Sequence, residues 1–284
     1  MKSRKFWVNS LVHVILAVLG GIWILPIVFA VLTSFRAESG AEKTYIIPKA
    51  FTLANYQRLF TIETGGLNYA RWFGNTVVVA IFSCVLSAFF ILCVSFALSR
   101  MRFRMRQPFM NVALILGMFP GFMSMIAVYY ILKGFGFLET GATSLVALVL
   151  VYSGGAGLGF YVTKGFFDTI PKSLDEAAFL DGCTKWQVFT KVTLPLSMPI
   201  AVYTLITSFM APFTDYIFAR VILGQNRDYY TIAIGLWTML EQEFIEQYYT
   251  RFFAGCILIS IPIAILFLLT QRFYTDSMSG AVKG

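Results

Sequence analysis

Six apolar runs set the layout of this chain. They cover residues 11–33, 75–98, 109–132, 143–162, 199–223 and 252–273. Each reaches the roughly 20 residues an α-helix needs to cross the hydrocarbon of a bilayer. The pattern predicts an all-α, polytopic membrane protein with six transmembrane helices in a single domain, residues 1–284. Between the fourth and fifth runs, the stretch PKSLDEAAFLDGCTKWQVFTKVTLP (residues 171–195) reads instead as two short helices. Ser173, with Glu176 three residues on, has the spacing of a capping box, and Thr184 with Gln187 repeats it. Gly182 between them suits a left-handed helix end, where other residues are strained. Pro195 lacks an N–H and is expected to stop the second helix. Each cap is worth about 1 kcal/mol.

Both short helices carry an apolar side. Leu174, Ala177, Ala178 and Phe179 line the first, with small residues at its middle that let another surface come close. Trp186, Phe189, Val192 and Thr193 form a stripe at helical spacing on the second. Burying Trp186 and Phe189 would each contribute about 1.5–3 kcal/mol. The elbow either docks on a partner or packs only on its own membrane helices; the pattern leaves both open.

Composition agrees with a membrane protein: 58% of residues are hydrophobic and 13% charged, against about 25% charged in soluble domains. The net charge of +8 comes from short Lys/Arg runs beside the apolar segments, which points to topology and anionic lipid, not nucleic acid. Lys2, Arg4 and Lys5 precede the first run, which is too long for a signal-peptide core. Arg100, Arg102, Arg104 and Arg106 follow the second. Both runs place their ends inside, so both termini are expected in the cytoplasm. A cytoplasmic loop then covers residues 164–198, an extracytoplasmic segment 34–72 and a cytoplasmic tail 274–284. The outer segment contains FTLANYQRLF and RWFGNT and reads as a lid on the helix ends. Residues 225–251, with Glu241, Glu243, Glu246, Trp237, Phe244, Tyr248 and Tyr249, read as an outer loop that rests its rings at the interface as a partly amphipathic helix.

Catalytic and metal chemistry find little to work with. Cys84, Cys93, Cys183 and Cys256 have no metal-like spacing and read as small packing residues. His13 is the only histidine. No Gly-Lys pair exists, so a phosphate-binding loop is missing, and neither a catalytic residue nor a cofactor is assigned to this chain. Asp215, in the fifth run, is the one carboxylate within an apolar run. It either binds a solute hydroxyl, pairs with Arg220 or reaches out to water. Tyr129, Tyr152, Tyr203 and Tyr216 combine stacking faces with hydroxyls, the two groups a sugar needs, although aromatic residues in membrane helices more often pack. Single-chain ion-coupled transport is the alternative transporter reading, and an embedded enzyme lacks the clustered groups it would need.

The elbow also carries a spelled motif. Glu176-Ala177-Ala178, three residues, Gly182, nine residues, Val192, one residue, Leu194-Pro195 resembles the EAA loop of ABC importer permeases, with Val192 in place of the usual Ile. The stretches MFPGFMSMIAVYYILKGFG (118–136), VLVYSGGAGLGFYVTKGFFDTIPKSLDEAA (149–178) and DYIFARVILG (215–224) are similar to the smaller permease subunits of maltose and maltodextrin importers. The resemblance implies the type I importer permease fold. It also implies an assembly with a second permease, an ABC ATPase dimer that holds ATP and Mg, and an extracytoplasmic sugar-binding protein. Glu176, Ala177, Ala178, Phe179, Asp181, Gly182 and Trp186 would then couple to the ATPase. The tail, Ser279, Gly280, Ala281, Val282, Lys283 and Gly284, would reach the ATPase interface.

Overall fold

The computed structural model describes residues 2–41, 45–61, 67–118, 121–154 and 157–281. Fourteen α-helices follow in order: α1 (Lys2–Ser34), α2 (Ala54–Leu59), α3 (Tyr69–Arg100), α4 (Arg106–Met118), α5 (Gly121–Gly134), α6 (Gly141–Gly154), α7 (Gly157–Thr169), α8 (Lys172–Leu180), α9 (Lys185–Val188), α10 (Leu194–Leu196), α11 (Met198–Thr214), α12 (Ile217–Leu223), α13 (Ile232–Thr238) and α14 (Ile245–Ala281). A π-helical turn, Phe189–Thr193, joins α9 to α10. Among the described residues there is no β-strand beyond one isolated bridge, Arg36 to Phe51.

The six expected crossings take two forms. Asn9–Ser34, Tyr69–Arg100, Gly141–Thr169 and Ile245–Gln271 are long and apolar enough to cross singly. The other two pass the test only as bent pairs: Arg106–Met118 with Met123–Gly134 at 106°, and the second elbow helix, Lys185–Leu196, with Met198–Thr214 at 86°, where only Met198–Thr214 falls in the expected crossing. The expected fifth run is also split, because α11 ends at Thr214 and α12 restarts at Ile217. Pro26 does not break α1, which runs through it.

The chain forms two compact units. The first holds residues 1–70 and 235–261. Between Leu11 and Val28 its helix α1 is largely apolar on all sides, and the large apolar side chains there, Trp23 at 78% exposure among them, are not covered by the described protein. Such a helix suits lipid or a neighbouring membrane helix. The lid expected over residues 34–72 is anchored by Asn55, whose buried amide donates to Ser34 O (2.9 Å) and Arg36 O (2.8 Å). Thr250 Oγ1 donates to Asn55 Oδ1 at 3.1 Å, so Asn55 fastens this segment to α14. Tyr69 Oη donates to Gly255 O at 3.0 Å. A Cβ at Gly255 would lie 2.6 Å from Leu236 and 3.0 Å from Tyr69, so glycine is needed for this close approach.

One expectation fails in this unit. Helix α14 begins at Ile245, ahead of the predicted 252, and Tyr248 is buried with Arg251 stacked over its ring at 4.8 Å. Tyr248 therefore belongs to a folded core and not to an interfacial loop, because its cation–π partner one turn along the helix holds it inward.

The second unit, residues 71–234 and 262–284, is built around α3. Small residues at Ala80, Ser83, Cys84, Ser87, Ala88, Ser95 and Ser99 are buried along it. Their size lets neighbouring helices come close, and their hydroxyls replace lost water contacts. Ser95 Oγ donates to Phe160 O at 3.1 Å, Ser99 Oγ to Asp168 Oδ1 at 2.6 Å, and Ser208 Oγ to Ser87 Oγ at 3.1 Å. Cys84 is a packing residue as expected, its thiol 3.2 Å from Leu205 O. A close crossing lies at Gly159, where an added Cβ would meet Ile91 at 3.2 Å. At Gly121 no close approach exists; nothing lies within 4 Å of its Cβ position.

RWFGNT explains itself here. Trp72 Nε1 donates to Arg227 O (2.9 Å), and Asn75 Nδ2 to Asp228 O (3.0 Å) and Tyr230 O (3.1 Å). Thr76 Oγ1 accepts from Ile232 N at 2.7 Å. These side chains clamp the loop between α12 and α13 on the first turns of α3.

Candidate functional site: the elbow before α11

The bend is made by a complete hydrogen-bonded helix stop. Gly182 takes φ +82°. Gly182 N donates to Phe179 O at 3.0 Å and Cys183 N to Ala178 O at 2.9 Å. That pair of bonds satisfies the last carbonyls of α8, the arrangement that requires a left-handed residue at this point. The second helix then opens with the predicted capping box: Gln187 N donates to Thr184 Oγ1 (3.3 Å) and Thr184 N to Gln187 Oε1 (2.7 Å).

Two local expectations are corrected. Ser173 does not cap α8; Pro171 stands at that position with φ −57° and ψ 129°, and no side-chain cap bond forms. Proline has no N–H to satisfy and its fixed φ suits entry to a helix, so Ser173 falls inside the first turn. Nor does Pro195 stop the second helix. The π-helical turn lets the chain continue to Leu196, with Leu194 N bonded to Phe189 O. A wider turn accommodates the proline ring that would clash in a tight one. The break comes two residues later, at Ser197, with Pro199 in the first turn of α11.

The elbow has two faces. Ala178, Val188 and Phe189 are buried in one cluster with Phe96, Phe167 and Ile200. Phe96 and Phe189 stack at 4.9 Å. Beneath them the Arg100 side chain forms an ion pair with Asp175 (Nε to Oδ2, 2.9 Å) and donates through Nη2 to Ile170 O at 2.9 Å. Burial pushes the Asp175 carboxyl up, and the Arg100 guanidinium opposes it. On the outward face Leu180 is 89% exposed, Trp186 58% and Phe179 46%. Trp186, one of the coupling candidates, touches Phe189 at 5.3 Å while its body stays outside, one turn ahead of the π-helical shift.

Of the seven coupling candidates, Glu176, Ala177, Phe179, Asp181, Gly182 and Trp186 are exposed and Ala178 is buried. Val282, Lys283 and Gly284 lie outside the described residues, while Ser279, Gly280 and Ala281 fall in the last helical turn of α14. Sequence reading missed Arg100 and Asp175. Their signal was faint but present: Asp175 stands three residues before Ala178, on the buried side of α8.

The membrane candidates separate into two groups. Tyr152 Oη donates to Asp215 Oδ2 at 2.8 Å, and Phe218 N donates to Asp215 Oδ1 at 3.0 Å. Asp215 thus caps α12 and does not pair with Arg220, whose guanidinium bonds and stacks on Tyr230. Tyr216 is next in the chain and half-buried. Tyr129 stacks on Tyr130 at 5.5 Å and Tyr203 stands 44% exposed on α11; neither shares a hydrogen bond or ring contact with the Tyr152–Asp215 pair. An apolar groove of about 770 Å³ lies alongside, lined by Leu116, Met123, Val128, Leu150 and Phe218, with Ser124 its one polar side chain.

Residues 90–279, which take in the whole elbow, match the family described as binding-protein-dependent transport system inner membrane component. The chain belongs to this family of transport permeases. It is 31% identical to the galactooligosaccharides transport system permease protein GanQ of Bacillus subtilis (strain 168), covering 100% of this chain and 99% of that protein. It is 31% identical to the maltodextrin transport system permease protein MdxG of the same organism, over 96% and 95%. Identity to the maltose/maltodextrin transport system permease protein MalG of Escherichia coli (strain K12) is 30%, over 100% and 97%. A crystal structure of a bacterial ABC transporter that imports the acidic polysaccharide alginate contains a chain of the same fold, with TM-score 0.75 and 21% identity over 94% of this permease and 97% of that chain. The all-α, multi-pass architecture anticipated from the apolar runs, and the importer permease fold implied by the resemblance, are thereby established.

Proposed function

We propose that this permease forms half of the translocation path of an ATP-driven sugar importer for maltodextrin-like or related oligosaccharides. The relatives named above are permeases for such sugars. The observation that carries the mechanism is the outward face of the elbow. Leu180, Phe179 and Trp186 stand exposed beside a rigidly capped joint whose other side is anchored in the core. An apolar knob on a stiff arm suits transmission of movement from a separate ATPase dimer, which would hold the ATP and Mg. In this reading the elbow and both termini are cytoplasmic, the tail from Ser279 to Gly284 reaches the ATPase, and the lid over residues 34–72 faces the sugar-binding protein. A second permease completes the path.

Asp215 weighs against the ion-coupled alternative, because both its oxygens already hold fixed structural partners. Shifting an access equilibrium from 1:99 to 99:1 takes about 5.5 kcal/mol of differential binding, which nucleotide and binding protein would share. The test is reconstitution with co-purified subunits, adding maltodextrins or galactooligosaccharides with the binding protein. Oligosaccharide-stimulated ATP hydrolysis and uptake are expected. Uphill uptake by this chain alone under an ion gradient would overturn the proposal.

A further inference from the structure

A second site lies on the inner side of the elbow, where α3 ends and α4 begins. A cleft of about 390 Å³ opens between these helix ends and α8–α9. Five cations line it, Arg100, Arg102, Arg106, Lys172 and Lys185, against only two carboxylates, Asp175 and Glu176. So many like charges around one small space repel each other unless an anion joins them. Arg100 is not a solvated surface charge: its side chain is 6% exposed, and its Nη1 is buried without a hydrogen-bond partner. Asp175 Oδ1, on the facing α8 wall, is likewise buried without a hydrogen-bond partner. The cations of the lining outnumber its carboxylates five to two, which makes the cleft complementary to an anionic group.

We propose that this cleft binds the phosphate of an anionic phospholipid such as phosphatidylglycerol. Phosphate oxygens accept from Arg in charge-assisted bonds. The depth of the cleft selects a lipid over a soluble phosphate ester. Arg100 closes one membrane-spanning helix and Arg106 opens the next bent span, so the cleft sits at the level of the headgroups, where basic pockets meet anionic lipid. Because α8 and α9 form one wall, a bound headgroup ties the coupling elbow to the bilayer surface. The site depends on the membrane-spanning reading and is independent of which solute is carried.

The full chain, purified with whatever subunits stay attached, is titrated by native mass spectrometry with phosphatidylglycerol, with phosphatidylcholine and with glycerol 1-phosphate. Phosphatidylglycerol is expected to bind at least tenfold more tightly than phosphatidylcholine, with glycerol 1-phosphate a poor competitor. The Arg102→Gln/Arg106→Gln variant loses that preference, and so does Lys172→Gln/Lys185→Gln on the opposite wall, which guards against a local folding defect in either pair. Arg104→Gln, outside the cleft, keeps it. The proposal is overturned if both double variants retain the parent preference, or if Arg104→Gln loses as much as they do, which would mean diffuse surface charge. Competition by glycerol 1-phosphate at equal concentration would overturn the lipid assignment and leave a soluble phosphate ester as the occupant.

Discussion

Arg100 and Asp175 meet at 2.9 Å with side chains only 6% and 8% exposed, joining the end of a membrane helix to the first turn of the elbow. Removing one partner leaves the other charged and buried, which costs about 3–5 kcal/mol, whereas replacing both with apolar residues of similar size is often neutral. Arg100→Met and Asp175→Leu are each expected to release the elbow, and the combined variant to restore most of its stability. Thermal unfolding and limited proteolysis at the elbow, run as a double-mutant cycle, measure this. Equal losses that simply add would mean the pair does not hold the elbow.

The same pair predicts a pH dependence. Burial raises the Asp175 pKa above its unfolded value in spite of Arg100. A raised folded pKa means that the protonated form is favoured by folding. Its contribution is therefore fully present below the unfolded pKa and is lost as pH rises through the folded one. Elbow protection against proteolysis should fall as pH rises through the carboxylate range and the raised folded pKa. Asp175→Asn should abolish that slope. A slope that persists in the variant assigns it to another group.

Gly182 tests the joint itself. A Cβ there would meet nothing within 4 Å, so a substitution is opposed only by backbone strain at φ +82°. Gly182→Ala is expected to cost about 1–2 kcal/mol with ATPase attachment retained. Gly182→Asp adds a charge on the exposed face and is expected to uncouple ATP hydrolysis from uptake or lose the ATPase. Normal uptake with normal attachment in Gly182→Asp would remove the coupling role.

The elbow was legible because its signals are local. Gly182, Thr184 and Gln187 act within five residues of one another, and each does what its side chain dictates. Ser173 and Pro195 were misread for a related reason: each obeys its local rule only if the helix starts or ends where the rule assumes. Pro171 moved one boundary and the π-helical turn moved the other. The Arg100–Asp175 and Tyr152–Asp215 pairs were out of reach because they join residues 75 and 63 positions apart, and no periodicity records a partner at that distance. The bends between α4 and α5 and after α10 were hidden too, since hydropathy registers length and apolarity but not direction.

Leu180 and Trp186 are the sharpest probes of docking. Both are more than half exposed, so Leu180→Glu and Trp186→Glu should change the stability of the isolated chain by no more than about 0.5 kcal/mol. Retention of the ATPase on affinity purification is expected to drop at least tenfold. Unchanged retention with both charges in place would move the docking surface elsewhere.

Asp215 separates transport mechanisms. As a helix cap it needs only an acceptor oxygen for Phe218 N and for the Tyr152 hydroxyl. Asp215→Asn keeps one acceptor and should reduce uptake modestly, whereas Asp215→Leu strands both donors. Tyr152→Phe removes a single hydrogen bond to a charged group, worth about 1.5–3 kcal/mol, and should resemble Asp215→Asn. A carboxylate that carried protons would behave differently: Asn would be as inactive as Leu, and Tyr152→Phe would shift the pH profile of uptake without lowering stability. Reconstituted uptake across pH in the three variants distinguishes the two. A graded series in which Asn and Phe stay active and Leu does not is the outcome expected of a structural cap.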